Sequence, residues 1–105
     1  LSSFHPGLLA AAAGLAPDVP RALLTTARER FGRVATVLAP GPPLLQGLHL
    51  DQAQATPGRV AWARRRGLRV GVWTVNDPAV AARCVADGAR WIITDVPAVV
   101  ARALP

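Results

Sequence analysis

The sequence predicts an α/β fold in which parallel strands alternate with helices. Two apolar runs of strand length, Val-Gly-Val-Trp at residues 70–73 and Trp-Ile-Ile at residues 91–93, are separated by a helix-like segment. That segment opens with Asp77-Pro78, an N-cap followed by a first-turn proline, and Gly88 ends it. Strands joined by a helix run parallel, and parallel α/β folds carry their sites where the strands end.

The first part of the chain predicts the same alternation of strands and helices. Apolar residues in the second helical segment recur at offsets of 3, 4 and 7 from Phe31, which is the spacing of one helix face. This helix would include Glu29, the only glutamate. The predicted elements are a strand end at residues 1–4, a helix at residues 8–13 stopped by Gly14, a strand at residues 22–24 and a helix at residues 26–38.

The remaining elements follow a proline-rich loop at residues 40–43, where the chain must break. Thr56-Pro57 repeats the cap and first-turn proline, and Gly67 stops the helix that they open. The predicted elements are strands at residues 47–51, 69–75 and 91–94, helices at residues 56–66 and 77–87, and a terminal helix opened by residues 95–97.

The length and composition allow one small domain, and they limit the classes of protein to which it can belong. The chain has 105 residues, 51% of them hydrophobic, and a net charge of +6 carried by twelve arginines without a lysine. No apolar run approaches the roughly 20 residues that span a bilayer. The run Arg64-Arg65-Arg66 suits either an anionic partner or the solvated end of a helix, and the second is favoured because no aromatic residues are interleaved for stacking on bases. We therefore expect no nucleic-acid partner. Cys84 is predicted to be a small buried side chain.

Two motifs in the last third resemble a known family. Trp-Thr-Val-Asn at residues 73–76, followed by Ile-Ile-Thr-Asp-Val-Pro at residues 92–97, resembles the C-terminal part of the glycerophosphodiester phosphodiesterases. Ser2-Ser3-Phe4 is similar to a strand tip of that family, and residues 17–24 and 59–70 are similar to the elements that follow. The resemblance covers nearly the whole chain and is weakest at residues 28–54.

The resemblance implies a TIM (β/α)₈ barrel, which takes roughly 250 residues, of which this chain is the C-terminal part from about the tip of strand 4 to helix 8. Residues 1–105 would then be one partial domain, and the start at Leu1 without any methionine agrees with a fragment. It also implies hydrolysis of a glycerophosphodiester, a small molecule, to glycerol 3-phosphate and an alcohol, with Ca²⁺ or Mg²⁺ as cofactor of the whole enzyme.

The catalytic motifs of that family do not occur in this sequence. There is no His-Arg-Gly, no Glu-x-Asp and no lysine, so no catalytic or metal-binding residue is assigned to the chain. The resemblance instead implies four substrate-binding residues at strand ends: Trp73, Phe4, Ser3 and Asn76. Trp73 alternatively fills the barrel interior, and Asn76 alternatively makes only a turn bond before Asp77.

Other polar residues have simpler interpretations. Asp77 is expected to cap its helix, and Asp95 to cap or brace the last one. His5 is interpreted as a loop residue. His49, between two leucines of an alternating strand, is expected on the opposite face with a surface or lightly packed role.

Three functions remain open from the sequence. The first is an inactive fragment of a glycerophosphodiester phosphodiesterase, whose open sheet edge and apolar faces predict self-association. The second is a degenerate, non-catalytic half-barrel that acts as an interaction module through its arginine-rich face. The third is another phosphodiester-cleaving barrel, related to phosphoinositide phospholipases or sphingomyelinase D.

Overall fold

The protein is described from a computed structural model that covers residues 1–38 and 44–105, so the predicted loop at residues 40–43 lies outside the described residues. Strands and helices alternate throughout these two ranges. The elements are β1 (Ser2–Ser3), α1 (Pro6–Leu15), β2 (Ala22–Leu24), α2 (Phe31–Leu38), β3 (Gly47–Asp51), α3 (Pro57–Arg65), β4 (Arg69–Trp73), α4 (Pro78–Asp87), β5 (Trp91–Ile92) and α5 (Pro97–Ala101).

The strands form one parallel sheet in chain order, β1-β2-β3-β4-β5. The register places His49 opposite Gly71 and Asp51 opposite Trp73. In the described residues, one helix lies between each pair of neighbouring strands, which is the repeating unit of a β/α barrel wall. The predicted fold class, parallel strands alternating with helices, is confirmed.

One face of the sheet forms the hydrophobic core. Alternate strand residues point to this face, where their exposed fractions are 3% or less because side chains of the helices cover them. Burying each such side chain stabilises the fold by about 1.5–3 kcal/mol. The strand residues are Leu23, Leu48, Leu50, Val70 and Val72, and the helix residues include Leu9, Val34, Leu38, Val60, Ala63, Ala81 and Cys84. The buried position predicted for Cys84 is confirmed.

The other face of the sheet is concave and open. It borders a groove of about 430 Å³ whose lining includes Gly47, His49 and Trp91. The side chain of Trp91 remains 42% exposed, and that of Ile93 40% exposed. Both side chains therefore remain partly accessible on this face.

Helix ends follow the predicted chemistry at three positions. The Thr56 side chain accepts a hydrogen bond from the Arg59 amide at 3.3 Å, and Asp77 accepts one from the Ala79 amide at 2.9 Å. Gly88 ends α4 with φ of 111°, a left-handed conformation that suits glycine. Asp95 does not cap α5, because Val96 is the N-cap residue of that helix; of the two predicted roles, the Asp95 carboxylate makes a bracing contact instead, by accepting a hydrogen bond from Asn76.

Some predicted element boundaries are wrong. The helix predicted from residue 26 begins at Phe31, and Glu29 lies in a preceding turn rather than inside a helix. The Gln54 side chain donates to the Glu29 carbonyl and ties this turn to the β3–α3 loop. Helix α1 continues past Gly14 to Leu15, since a glycine inside a helix costs only about 1 kcal/mol. Regular pairing of β4 ends at Trp73, two residues before the predicted end.

The helices in the described ranges do not suit a membrane span. Among the residues in the two described ranges, no helix combines the length and the apolar character that crossing a bilayer requires.

Candidate functional site

Phe4 and Trp73 meet across the concave side of the sheet. Their ring centroids are 5.8 Å apart and the ring planes are inclined by 75°. Phe4 directly follows β1 and Trp73 ends β4, with β2 and β3 between them in the sheet. The sheet must therefore curve enough to bring the carboxyl ends of β1 and β4 together. The contact brings together two of the four residues predicted for substrate binding.

The indole of Trp73 is held from a second side. Its Nε1–H donates a hydrogen bond to the His49 carbonyl oxygen at 3.2 Å. The edge-to-face contact with Phe4 adds about 0.5–1.5 kcal/mol beyond burial of the two rings. Trp73 is half-buried, while Phe4 remains 44% exposed at the rim. The two rings thus form a fixed apolar wall with one accessible edge.

Ser3 lies at the same strand end as Phe4. It is half-buried, and its Oγ accepts a hydrogen bond from the His5 amide at 3.1 Å. This bond closes the tight turn between β1 and α1, where His5 is the exposed residue that precedes the helix. The Ser3 hydroxyl keeps its own hydrogen for a further partner.

Asn76 is exposed in the loop that follows β4. Its Oδ1 accepts hydrogen bonds from the Thr94 hydroxyl and from the Asp95 amide, both at 3.0 Å. Its Nδ2 donates to Asp95 Oδ2 at 3.1 Å. The side chain therefore binds the neighbouring loop rather than its own turn, and one amide hydrogen has no bond among these three.

His49 lies on the concave face, as the alternation predicted, but it is half-buried against two neighbours. Its ring centroid is 6.1 Å from that of Trp91, and the ring lies over Gly71. Burial, together with the positive Leu1 amino group, lowers the pKa of His49 from 6.5. The imidazole is therefore neutral at pH 7. No local sequence pattern indicates these contacts, which depend on the register of three strands.

Two buried polar atoms near the carboxyl ends of β2 and β3 also escaped prediction. Thr25 Oγ1 and Gln54 Oε1 are buried without a hydrogen-bond partner in the described part of the protein. Both follow apolar strands, but burial of a loop residue has no local sequence pattern.

The side chains present do not fit a metal centre on their own. Within residues 1–38 and 44–105, no three or more His, Cys, Asp or Glu side chains are grouped closely enough to hold an ion. The chemistry visible in this chain is that of an apolar wall with hydrogen-bonding groups beside it.

Comparison with known proteins agrees with this architecture. The model of the glycerophosphoryl diester phosphodiesterase family matches residues 1–99. No curated protein matches the sequence significantly. Among solved structures, a Silicibacter pomeroyi protein assigned to the glycerophosphoryl diester phosphodiesterases is 30% identical, with a TM-score of 0.83, over 97% of this chain and 36% of that one.

Two further structures show the same fold at lower identity. A phosphodiesterase of Oleispira antarctica, in complex with the product sn-glycerol-3-phosphate, is 23% identical with a TM-score of 0.77 over 97% of this chain and 40% of that one. A glycerophosphodiester phosphodiesterase of Parabacteroides distasonis is 21% identical with a TM-score of 0.73 over 96% of this chain and 40% of that one.

The parallel sheet, with its strands alternating with helices in the described residues, has the architecture of part of a β/α barrel. The chain belongs to the glycerophosphoryl diester phosphodiesterase family, and the resemblance found in the sequence is confirmed. Members of this family are hydrolases that act on small glycerophosphodiesters and generally use divalent cations. The chain spans well under half the length of the solved structures that it matches, 36% to 40% for these three.

Proposed function

We propose that residues 1–105 are the C-terminal, substrate-facing part of a glycerophosphodiester phosphodiesterase barrel. The whole enzyme hydrolyses a glycerophosphodiester to glycerol 3-phosphate and an alcohol. The contact between Phe4 and Trp73 carries this proposal, because it places an apolar wall at the edge of the sheet where barrel enzymes bind substrate.

Each residue of the wall has a defined task in this proposal. Trp73 and Phe4 contact the carbon atoms of glycerol or of the leaving alcohol and exclude water from that side. The Ser3 hydroxyl hydrogen is suited to donate to a substrate oxygen, whereas Asn76 keeps only one amide hydrogen outside its three bonds to the neighbouring loop. Ser3, Phe4 and Trp73 lie at strand ends on the carboxyl edge of the sheet, and Asn76 lies in the loop that follows β4.

The catalytic groups and the ligands for Ca²⁺ or Mg²⁺ lie on other strands of the barrel in this proposal. The described side chains include no cluster of three or more potential metal ligands, and the sequence lacks the acid–base motifs of the family. The chain alone is therefore expected to be inactive.

A chimera tests the proposal. This chain replaces the matching segment of the Silicibacter pomeroyi protein, and release of glycerol 3-phosphate from glycerophosphocholine is measured with Ca²⁺ or Mg²⁺. The chimera should hydrolyse the substrate, and Trp73→Ala should reduce kcat/KM about tenfold or more. Trp62→Phe, on α3 away from the wall, serves as the matched control. A folded chimera that is inactive on glycerophosphodiesters, beside an active parent, would contradict the proposal.

The open concave face favours a second proposal, that the isolated chain self-associates. Trp91 and Ile93 are both at least 40% exposed there, and the outer edges of β1 and β5 have no strand beside them in the described sheet. Sedimentation velocity across a concentration series should show oligomers that Trp91→Glu dissociates. A monomer at all concentrations would contradict self-association and would leave the first proposal unaffected.

An interaction module remains the non-catalytic alternative. Its supporting observation is the exposed arginine run at the end of α3, where the Arg66 guanidinium stacks at 4.5 Å on the Trp62 ring. The Arg64 side chain lies against Gly88 and is exposed like the other two. Salt-sensitive binding to anionic vesicles, lost in a variant that replaces Arg64, Arg65 and Arg66 by Gln, would support the module.

A further inference from the structure

The regular pairing of β4 with β5 stops before the rim of the sheet. The last register pair is Val72 with Ile92. Two backbone bonds extend the ladder, from the Ile93 amide to the Val72 carbonyl and from the Val75 amide to the Ile93 carbonyl, both 2.9 Å long. Beyond Val75, the hydrogen bonds between the two loops in the described residues involve side chains.

These side-chain bonds form a closed network, here called the rim latch, made of Asn76, Thr94 and Asp95. The Asn76 side chain accepts hydrogen bonds from Thr94 Oγ1 and from the Asp95 backbone amide, both at 3.0 Å. It donates one to the Asp95 carboxylate at 3.1 Å. Thr94 Oγ1 in turn accepts from the Val96 amide at 3.1 Å. The latch therefore joins the β4–α4 loop to the start of α5.

We propose that Asn76 is a positioning residue that, through the rim latch, holds the end of β4 so that Trp73 meets Phe4. Only two residues separate Trp73 from Asn76, and one of them, Val75, is fully buried and bonded to Ile93. A shift of the loop at Asn76 is therefore transmitted to the strand end. The wall contact is observed in this chain, and its catalytic value rests on the proposed function.

The latch uses most of the hydrogen-bonding capacity of Asn76. Both acceptor positions of Oδ1 and one hydrogen of Nδ2 are engaged within the network. A group whose main task was to contact substrate would be expected to keep these positions free. The geometry thus favours an effect of Asn76 on substrate that acts through Trp73.

Fluorine NMR of the 105-residue chain labelled with 5-fluorotryptophan tests the proposal without any assay of activity. Single Trp→Phe variants assign the resonances of Trp62, Trp73 and Trp91. Asn76→Ala should shift or broaden the Trp73 resonance and leave that of Trp62 unchanged. Asp95→Asn keeps an oxygen that accepts from Asn76, so it should leave the Trp73 resonance in place.

Thr94→Val is the second variant, because it removes a hydroxyl of the latch without altering Asn76. It should move the Trp73 resonance in the same direction as Asn76→Ala, and it decides the question if Asn76→Ala fails to fold. An unchanged Trp73 resonance in a folded Asn76→Ala chain overturns the proposal. If Asn76→Ala does not fold, an unchanged Trp73 resonance in Thr94→Val overturns it.

An active chimera adds a kinetic comparison. Both Asn76→Ala and Thr94→Val should raise KM about tenfold with kcat changed less than about twofold. If only Asn76→Ala raises KM, Asn76 contacts the substrate directly and the positioning role is wrong. Because the NMR measurement needs no catalysis, an inactive chimera would contradict the proposed function alone.

Discussion

The imidazole of His49 lies over Gly71, its register partner on the neighbouring strand. A Cβ at position 71 would stand 2.9 Å from His49 Cδ2, closer than real Cβ contacts allow. The absence of a side chain at residue 71 is what lets the ring reach Trp91, 6.1 Å away between centroids. Size complementarity between these two residues thus shapes the floor of the concave face.

Gly71→Ala should destabilise the chain by about 1–3 kcal/mol, since the ring must leave its place or the strands must separate. Urea unfolding followed by circular dichroism measures this. Gly32→Ala is the matched control, because a Cβ there meets nothing within 4 Å, and it should be neutral or stabilising by about 0.5–1 kcal/mol. Equal stability of Gly71→Ala and the unmodified chain would refute the packing argument.

The stability of the chain should fall as the pH drops below 6.5. Burial, with the Leu1 amino group as a second cause, lowers the pKa of His49 from its ordinary value of 6.5 in the folded state. The unfolded chain therefore binds a proton first, and the stability present above pH 6.5 is lost progressively as pH falls through the lowered pKa.

Unfolding free energies at pH 7.5 and pH 5, compared for the unmodified chain and His49→Gln, check this dependence. His49→Gln should remove most of the decrease, whereas the same substitution at the exposed His5 should keep it. A decrease of the same size in His49→Gln would assign it to other groups.

The aromatic wall should show measurable coupling between its two rings. A double-mutant cycle with Phe4→Leu and Trp73→Phe should give an interaction free energy of about 0.5–1.5 kcal/mol. The Phe31–Trp62 pair provides a comparison away from the wall, with centroids 5.3 Å apart and planes inclined by 79°. Additive effects at Phe4 and Trp73 would mean that the rings do not meet in solution.

Loss of a helix cap should cost stability at α4. Asp77→Ala removes the acceptor for the Ala79 amide and should destabilise the chain by about 0.5–2 kcal/mol. Asp77→Asn retains an acceptor oxygen and should stay within about 0.5 kcal/mol of the unmodified chain. Thermal melts of the three proteins measure the difference, and a Tm of Asp77→Ala as high as that of Asp77→Asn would contradict the cap.

The order of elements was predictable because local chemistry marks their ends. Thr56, Asp77 and Gly88 act through neighbours within a few residues, and they behave as predicted. The start of α2 was not predictable, since the turn before it is tied by Gln54, more than twenty residues away along the chain. Apolar spacing alone extends a helix until a tertiary contact ends it.

Candidate site residues could be named from the sequence, but their contacts could not. The resemblance selected Phe4 and Trp73, and the curvature of the sheet brings them together. The partners of Asn76 and His49 lie on other strands, so they depend on register and on loop geometry. No local pattern in the sequence encodes those two quantities.

Because side chains alternate along each strand, the core-facing and groove-facing positions of this sheet can be varied separately, which is useful for protein engineering. On β3, Leu48 and Leu50 belong to the core, while His49 faces the groove. A library that varies only groove-facing positions, such as His49 and Trp91, would change the chemistry of the groove while leaving the leucine layer beneath the helices intact. Selection for new binding specificity can then proceed with the fold's main source of stability held constant.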